Sequence, residues 1–230
     1  MGNKYSAEII SCMASNYHQP IAVLVERILT VQLPEQAGEK PRESEGDYAV
    51  SLIILLALEF EAWLSRARYF DADSKDKYAL PWIKSLNDSA LESIIQRLDE
   101  VYFVRDAIAH NHIWSYSQQR VEDKVHYSNF DLNLEWQSSE NKFRRIVGGE
   151  LPKLSLPRTK LLNLVVVPSF ISRKDVVIVF ETIRDALVIL DRREHISLAS
   201  QSPTVRFNGQ LSFPFWSLIG QIQRSYVTSE

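Results

Sequence analysis

Cysteine is nearly absent: Cys12 is the only one in 230 residues. A lone thiol excludes a disulfide framework, and a structural zinc site built on thiolates goes with it. A reducing cytoplasm is the expected setting, with no cofactor and no metal. Glycine is also scarce, at 7 residues, and there is no P-loop, no GxGxxG ahead of a helix and no Gly-x-Ser-x-Gly elbow. No apolar run reaches the roughly twenty residues that a membrane span needs. The longest, Ala49 to Leu58, is interrupted by Ser51 and ended by Glu59, which reads as a buried core helix and predicts no membrane partner. Charge of one sign is not in excess either, because 26 basic and 29 acidic residues leave a net −3. That balance excludes broad, unselective nucleic-acid binding. With 45% hydrophobic and 24% charged residues, disorder and low-complexity character are excluded as well.

What is present is helical punctuation. Tyr5 to Val31 reads as two helical stretches that meet at Pro20, a residue suited to the first turn of the second. Leu33 to Gly46, with Pro34, Gly38 and Pro41 among charges, reads as an exposed loop. A long helix follows from about Asp47 to Tyr69, apolar nearly all round in its first half, as in the middle of a bundle. After a turn opened by Pro81, Ser89 and Glu92 make a capping box before apolar residues at helical spacing through Trp114. Val125 to Trp136 alternates and carries aromatic and β-branched residues, predicting a strand or hairpin. Leu161 to Val167, stopped by Pro168, is a second strand candidate. Ser172 and Asp175 form another capping box, for a helix from about Arg173 to Arg193. Asn208-Gly209 within Val205 to Leu211 signals a hairpin, and Pro214 opens a last helix to about Tyr226. The expected fold is mainly α, one domain over 1–230. An antiparallel helical bundle takes about 5–120 and 172–196, a small β insertion about 121–171, and a C-terminal hairpin and helix about 203–228.

The third long helix holds the chemistry. At about 100° per residue, Leu91, Ile94, Ile95, Leu98, Val101, Tyr102, Ile108 and Ala109 fall on one arc, with Arg105 in its middle. A guanidinium on an apolar arc needs an anion, a partner interface or a water-filled cleft. Asp106 and His110, four apart, are neighbours on one flank beside it.

Arg105-Asp106-Ala107-Ile108-Ala109-His110 resembles the Arg-x4-6-His signature of the HEPN superfamily, with Asp106 as the polar residue that usually follows the arginine. The stretch Leu164 to Asp175, followed by a helix, is also similar to certain prokaryotic HEPN proteins. The resemblance covers roughly residues 45 to 195, weakly beyond the motif. It implies a HEPN-like bundle and metal-independent RNA cleavage by 2′-hydroxyl attack, ending in a 2′,3′-cyclic phosphate. Two protomers would face their motifs across one cleft, so the expected partners are RNA and a second copy of the chain. Arg105 would grip the scissile phosphate, His110 would move the proton near neutral pH, and Asp106 would orient the imidazole. The implied biological setting is a prokaryotic toxin or an anti-phage, abortive-infection protein, with an antitoxin or regulatory protein as a further partner. The alternative is a catalytically inactive HEPN-like binding or regulatory module.

Other features are weaker. His110 and His112 point about 200° apart on a helix, so they cannot share a metal ion. Glu59 and Glu61 interrupt the apolar second helix, and either can meet Arg105 across the bundle. His18, His126 and His195 show no partner pattern and read as surface or core polar residues. Between Asn141 and Lys174 eight basic residues, among them Arg144, Arg145, Lys153, Arg173 and Lys174, face Glu150 alone, leaving +7 locally and −10 elsewhere. Such a segment can hold an RNA backbone, and Arg144, Arg145 and Lys153 are the candidate contacts. Asn111, which ends the Ala-His-Asn run, and Trp114 join them, with Trp114 and Tyr116 able to stack exposed bases.

Overall fold

The computed structural model describes residues 14–33, 41–70, 78–109, 113–121, 124–133, 145–147, 156–193 and 203–227. Its centre is set by the residues that cannot face water. Along α2, Glu43–Phe70, the side chains of Ala49, Leu52, Ile53, Leu56, Phe60, Trp63 and Leu64 are buried, a stripe at helical spacing. That stripe packs on α1 (Ser15–Thr30), α3 (Ala79–Ser85), α4 (Glu92–Ala109) and α5 (Arg173–Arg192). The mainly α, bundle-centred expectation is met at this level. The apolar run read as Ala49 to Leu58 belongs to a longer element. Among the described residues, Ser44–Tyr69 is the one helix long and apolar enough to cross a membrane, and half of its apolar window is buried inside the fold.

Several boundaries differ from the sequence reading, each for a local reason. Pro20 does not divide two helices; it lies inside α1, which runs unbroken from Ser15. Proline there removes only the donor that would reach the Asn16 carbonyl, near the helix start, and the chain continues. Ser89 and Glu92 do not make the capping box. Asp88 caps instead, its carboxylate accepting from the Ala90 N–H at 3.0 Å, ahead of a 3-10 turn (Ser89–Leu91) that leads into α4. The described helix runs to Ala109 and does not include Trp114, because Ile113–Val121 (β1) pairs antiparallel with Lys124–Asn133 (β2), Trp114 opposite Leu132. The β-branched and aromatic content of both runs suits a pleated pair. Tyr116 and Tyr127 meet Phe170 edge-on at 5.4 and 4.8 Å, which docks this hairpin on the bundle.

Leu161 to Val167 is not a strand. Only Arg158 and Val165 form a bridge. Most backbone donors of this segment go to side chains: Leu161 and Leu162 N–H bond the Glu100 carboxylate at 2.8 and 2.7 Å, Leu164 N–H bonds the Thr159 hydroxyl at 3.0 Å and Val165 N–H bonds Asp175 at 3.0 Å, while Val166 N–H reaches the Pro157 carbonyl at 3.3 Å. Leu164, Val165, Val166 and Val167 then bury themselves in the core without a ladder. Glu100, 3% exposed on α4, is thus a clamp on a loop, which nothing in its sequence neighbourhood signals.

The C-terminal third follows the reading closely. Ser172 N–H and hydroxyl both donate to Asp175 at 2.9 Å at the start of α5. The Arg173 side chain, however, is not part of a solvated basic face. It is 2% exposed, donating to Glu45 from Nε at 3.0 Å, to the Val31 carbonyl at 2.8 Å and to Ser225 at 3.1 Å. β3 (Thr204–Phe207) and β4 (Gln210–Pro214) form the expected hairpin. Its turn places Asn208 at φ 47° and Gly209 at φ 80°, the left-handed pair that Asn-Gly tolerates best. Gln19 of α1 bonds the Arg206 backbone in both directions, and α6 (Leu218–Val227) closes the bundle against α5 and α1.

Candidate functional site

Glu61, Ser65 and Arg68 follow one another at i, i+4 and i+7 on α2, hence on one stripe. Tyr102 and Arg105 stand three apart on α4, and Tyr78, Leu80 and Pro81 enter from the beginning of α3. Together these eight residues line an open cleft of about 250 Å³. The arc predicted for α4 is wider than read, since Glu100, Phe103, Val104 and Ala107 are also buried while Ala109 is not. Arg105 nevertheless sits where expected, on the inward side but reaching water.

Arg105 is 29% exposed at its side chain. Nη2 donates to Glu61 Oε1 at 3.0 Å, Nη1 lies 3.3 Å from Asp106 Oδ1, and the guanidinium carbon is 5.2 Å above the Tyr102 ring. Glu61, and not Glu59, is therefore the carboxylate that meets it across the bundle. A pair this exposed is worth about 0–1 kcal/mol, so a better anion can replace it. The Arg105 Nε and the Tyr102 hydroxyl are buried and meet no hydrogen-bond partner among the described residues. Burial first, and the Glu61 carboxylate second, push the Tyr102 hydroxyl well above its usual range, which keeps it a proton donor.

Glu59 has a different surrounding. It is fully buried; Oε1 accepts from Trp63 Nε1 at 2.7 Å and faces His18 Nε2 at 3.3 Å. His18, read from the sequence as having no partner pattern, is thus a core histidine with a carboxylate partner, its ring 4.4 Å from that of Phe215. Burial raises the Glu59 carboxyl above its usual range.

Of the other predicted residues only some are among those described. His110, Asn111, His112, Arg144, Lys153 and His195 lie outside the described residues, as does Cys12. Asp106 is beside Arg105 as the helix repeat requires. Trp114 is in β1, not on α4. Tyr116 is half-buried and its ring packs on Tyr127 and Phe170, so it is not an open stacking platform. Arg145 is exposed on a helical turn at 145–147, Lys174 lies 5.4 Å from the Tyr226 ring, and His126 is exposed on β2. Among the described residues no three His, Cys, Asp or Glu side chains gather as metal ligands. Arg68, Ser65 and Tyr78 were missed by the sequence reading, because tertiary packing alone brings α2 and α3 to the motif helix.

Comparison with models of known protein families, with curated proteins and with solved structures finds no match. The chemistry of the cleft is all that speaks for a function.

Proposed function

We propose that the chain is a HEPN-type, metal-independent endoribonuclease that acts as a homodimer in the cytoplasm. The observation that carries this reading is Arg105, a part-exposed guanidinium on the inward side of α4 that opens onto a cleft. RNA brings its own nucleophile, so the site has to supply proton transfer and charge stabilisation rather than a hydrolytic water. The 2′-oxygen bonds to phosphorus while its proton passes to one His110 imidazole. The bond from phosphorus to the 5′-oxygen breaks, and that oxygen takes a proton from the second copy's His110. The products are a 2′,3′-cyclic phosphate and a free 5′-hydroxyl. Arg105 neutralises the charge that builds on the phosphoryl oxygens, and Asp106 holds the guanidinium from one side. Asn111, Trp114, Arg144, Arg145 and Lys153 are assigned to contacts along the strand. A toxin or anti-phage setting, with an antitoxin or regulator as partner, fits an enzyme of this kind.

Purified protein is expected to cleave RNA with EDTA present and to sediment as a dimer. Arg105→Ala and His110→Ala should each lower cleavage by about 100-fold or more while the circular dichroism melt stays in place. One observation favours a second reading, a non-catalytic binding module: Arg105 is already engaged by Glu61 and Asp106. Intact RNA across a broad substrate panel, with folded variants and a monomeric wild type, would establish that reading instead.

A further inference from the structure

The α2 wall of the cleft presents a second guanidinium. Arg68 shares the cleft with Arg105, and its Nη2 donates to the Ser65 hydroxyl at 3.1 Å, which directs the head along the cleft wall. Arg105 alone is outnumbered by the Glu61 and Asp106 carboxylates; Arg68 brings two guanidiniums to the same cleft, so an anion that displaces Glu61 meets both of them. Both guanidiniums act electrostatically on the Tyr102 hydroxyl, which places all three groups in one neighbourhood. That hydroxyl is itself buried, belongs to a cleft-lining residue only 7% exposed, and has no acceptor among the described residues. A buried donor without a partner is unfavourable by about 1–3 kcal/mol, and a bound anion satisfies it. At the mouth stands Tyr78, 83% exposed beside Pro81, an aromatic face without cover.

We propose that Arg68 and the Tyr102 hydroxyl form, with Arg105, a phosphodiester-binding subsite for single-stranded RNA, and that Tyr78 stacks the attached base. About 250 Å³ accommodates one phosphate with part of its sugar, leaving the base outside against Tyr78. The phosphate displaces Glu61 from Arg105, takes Arg68 from the opposite wall and accepts the Tyr102 proton donor. This assignment rests on reading the cleft as the RNA site, but it concerns binding and not bond cleavage.

The test uses a 2′-O-methyl oligoribonucleotide, which lacks the nucleophile and cannot be cut, with binding read by fluorescence anisotropy over a salt series. Arg68→Gln should weaken binding about tenfold and reduce the magnitude of the salt slope by about 0.7, the value of one single-strand phosphate contact. Arg68→Lys should keep the slope. Tyr102→Phe should weaken binding several-fold with the slope unchanged, because it removes a neutral donor, and should melt no lower than wild type. Tyr78→Ala should weaken binding, with Tyr78→Trp restoring it. Wild-type affinity and slope in Arg68→Gln and Tyr102→Phe would overturn the subsite, even if the wild type cuts RNA through Arg105 and His110. Binding that depends on Arg68 in a protein that cuts no RNA would uphold the subsite and remove the nuclease.

Discussion

Glu59 and Glu61 stand two residues apart on α2, about 200° around its axis, and end in opposite media. Glu59 is sealed with His18 and Trp63 in the bundle, whereas Glu61 meets Arg105 at a cleft open to water. Glu45 and Arg173 repeat the sealed arrangement at the start of α5, both side chains 2% exposed. The difference teaches what each pair can do. A sealed pair has no exchange partner, so removing one member strands the other in a low-dielectric interior. An open pair is weakly held and replaceable, which a binding site needs. The first kind anchors helices; the second, in the proposed site, would keep a guanidinium in place until a phosphate arrives.

The largest expected effect breaks a sealed pair. Glu45→Ala leaves Arg173 buried without its carboxylate, and unfolding stability should fall by about 3–5 kcal/mol. In a chain of this size that corresponds to a melting temperature lower by roughly 6–20 °C. Urea unfolding measures it directly. A loss below about 1 kcal/mol, the scale of exposed pairs, would show that water reaches this arginine and would erase the distinction.

Glu59 supplies a test by pH. Its folded-state pKa lies above the usual value of about 4.5 because burial disfavours the carboxylate. The folded protein therefore holds this proton more tightly than the unfolded chain does. The resulting stabilisation is full below pH 4.5 and is lost as pH rises through the raised folded-state value. Glu59→Gln, which can still accept from Trp63 and face His18, should lack that decline. Its stability relative to wild type should increase steadily from pH 4.5 upward in urea titrations. A relative stability that stays flat or falls over that interval would mean that Glu59 ionises easily, as an exposed carboxylate does.

How much of this was legible in the sequence depends on whether the signal is local. The Ser172 and Asp175 cap and the Asn208-Gly209 turn are local chemistry, and both are found where the residues put them. Arg105 was legible because a charge in an apolar period is itself a local contradiction. Leu161 to Val167 misled because a buried β-branched run looks the same whether a neighbouring strand or side chains such as Glu100 satisfy its backbone. Trp114 misled because helical spacing of apolar residues continues past Ala109, while the strand partner that claims it comes later in the chain. Choosing Glu61 over Glu59 for Arg105 needed the rotation of α2 about its own axis, and Arg68 needed α2 and α4 side by side. Neither is encoded in spacing.

The smallest expected change in stability carries the sharpest functional contrast. Glu61→Gln removes the carboxylate that, in the proposed site, would compete with a phosphate for Arg105, but leaves an amide of the same shape. Both side chains are about one-third exposed, so the stability should change by no more than about 1 kcal/mol. The same energy, no longer opposing the incoming anion, should tighten binding of an uncleavable RNA by up to about fivefold. Cleavage at subsaturating RNA should rise in parallel if the chemistry is untouched. A fall in affinity would assign Glu61 the opposite role, that of holding Arg105 in its binding posture, and the open pair would then anchor the site just as the sealed pairs anchor the helices.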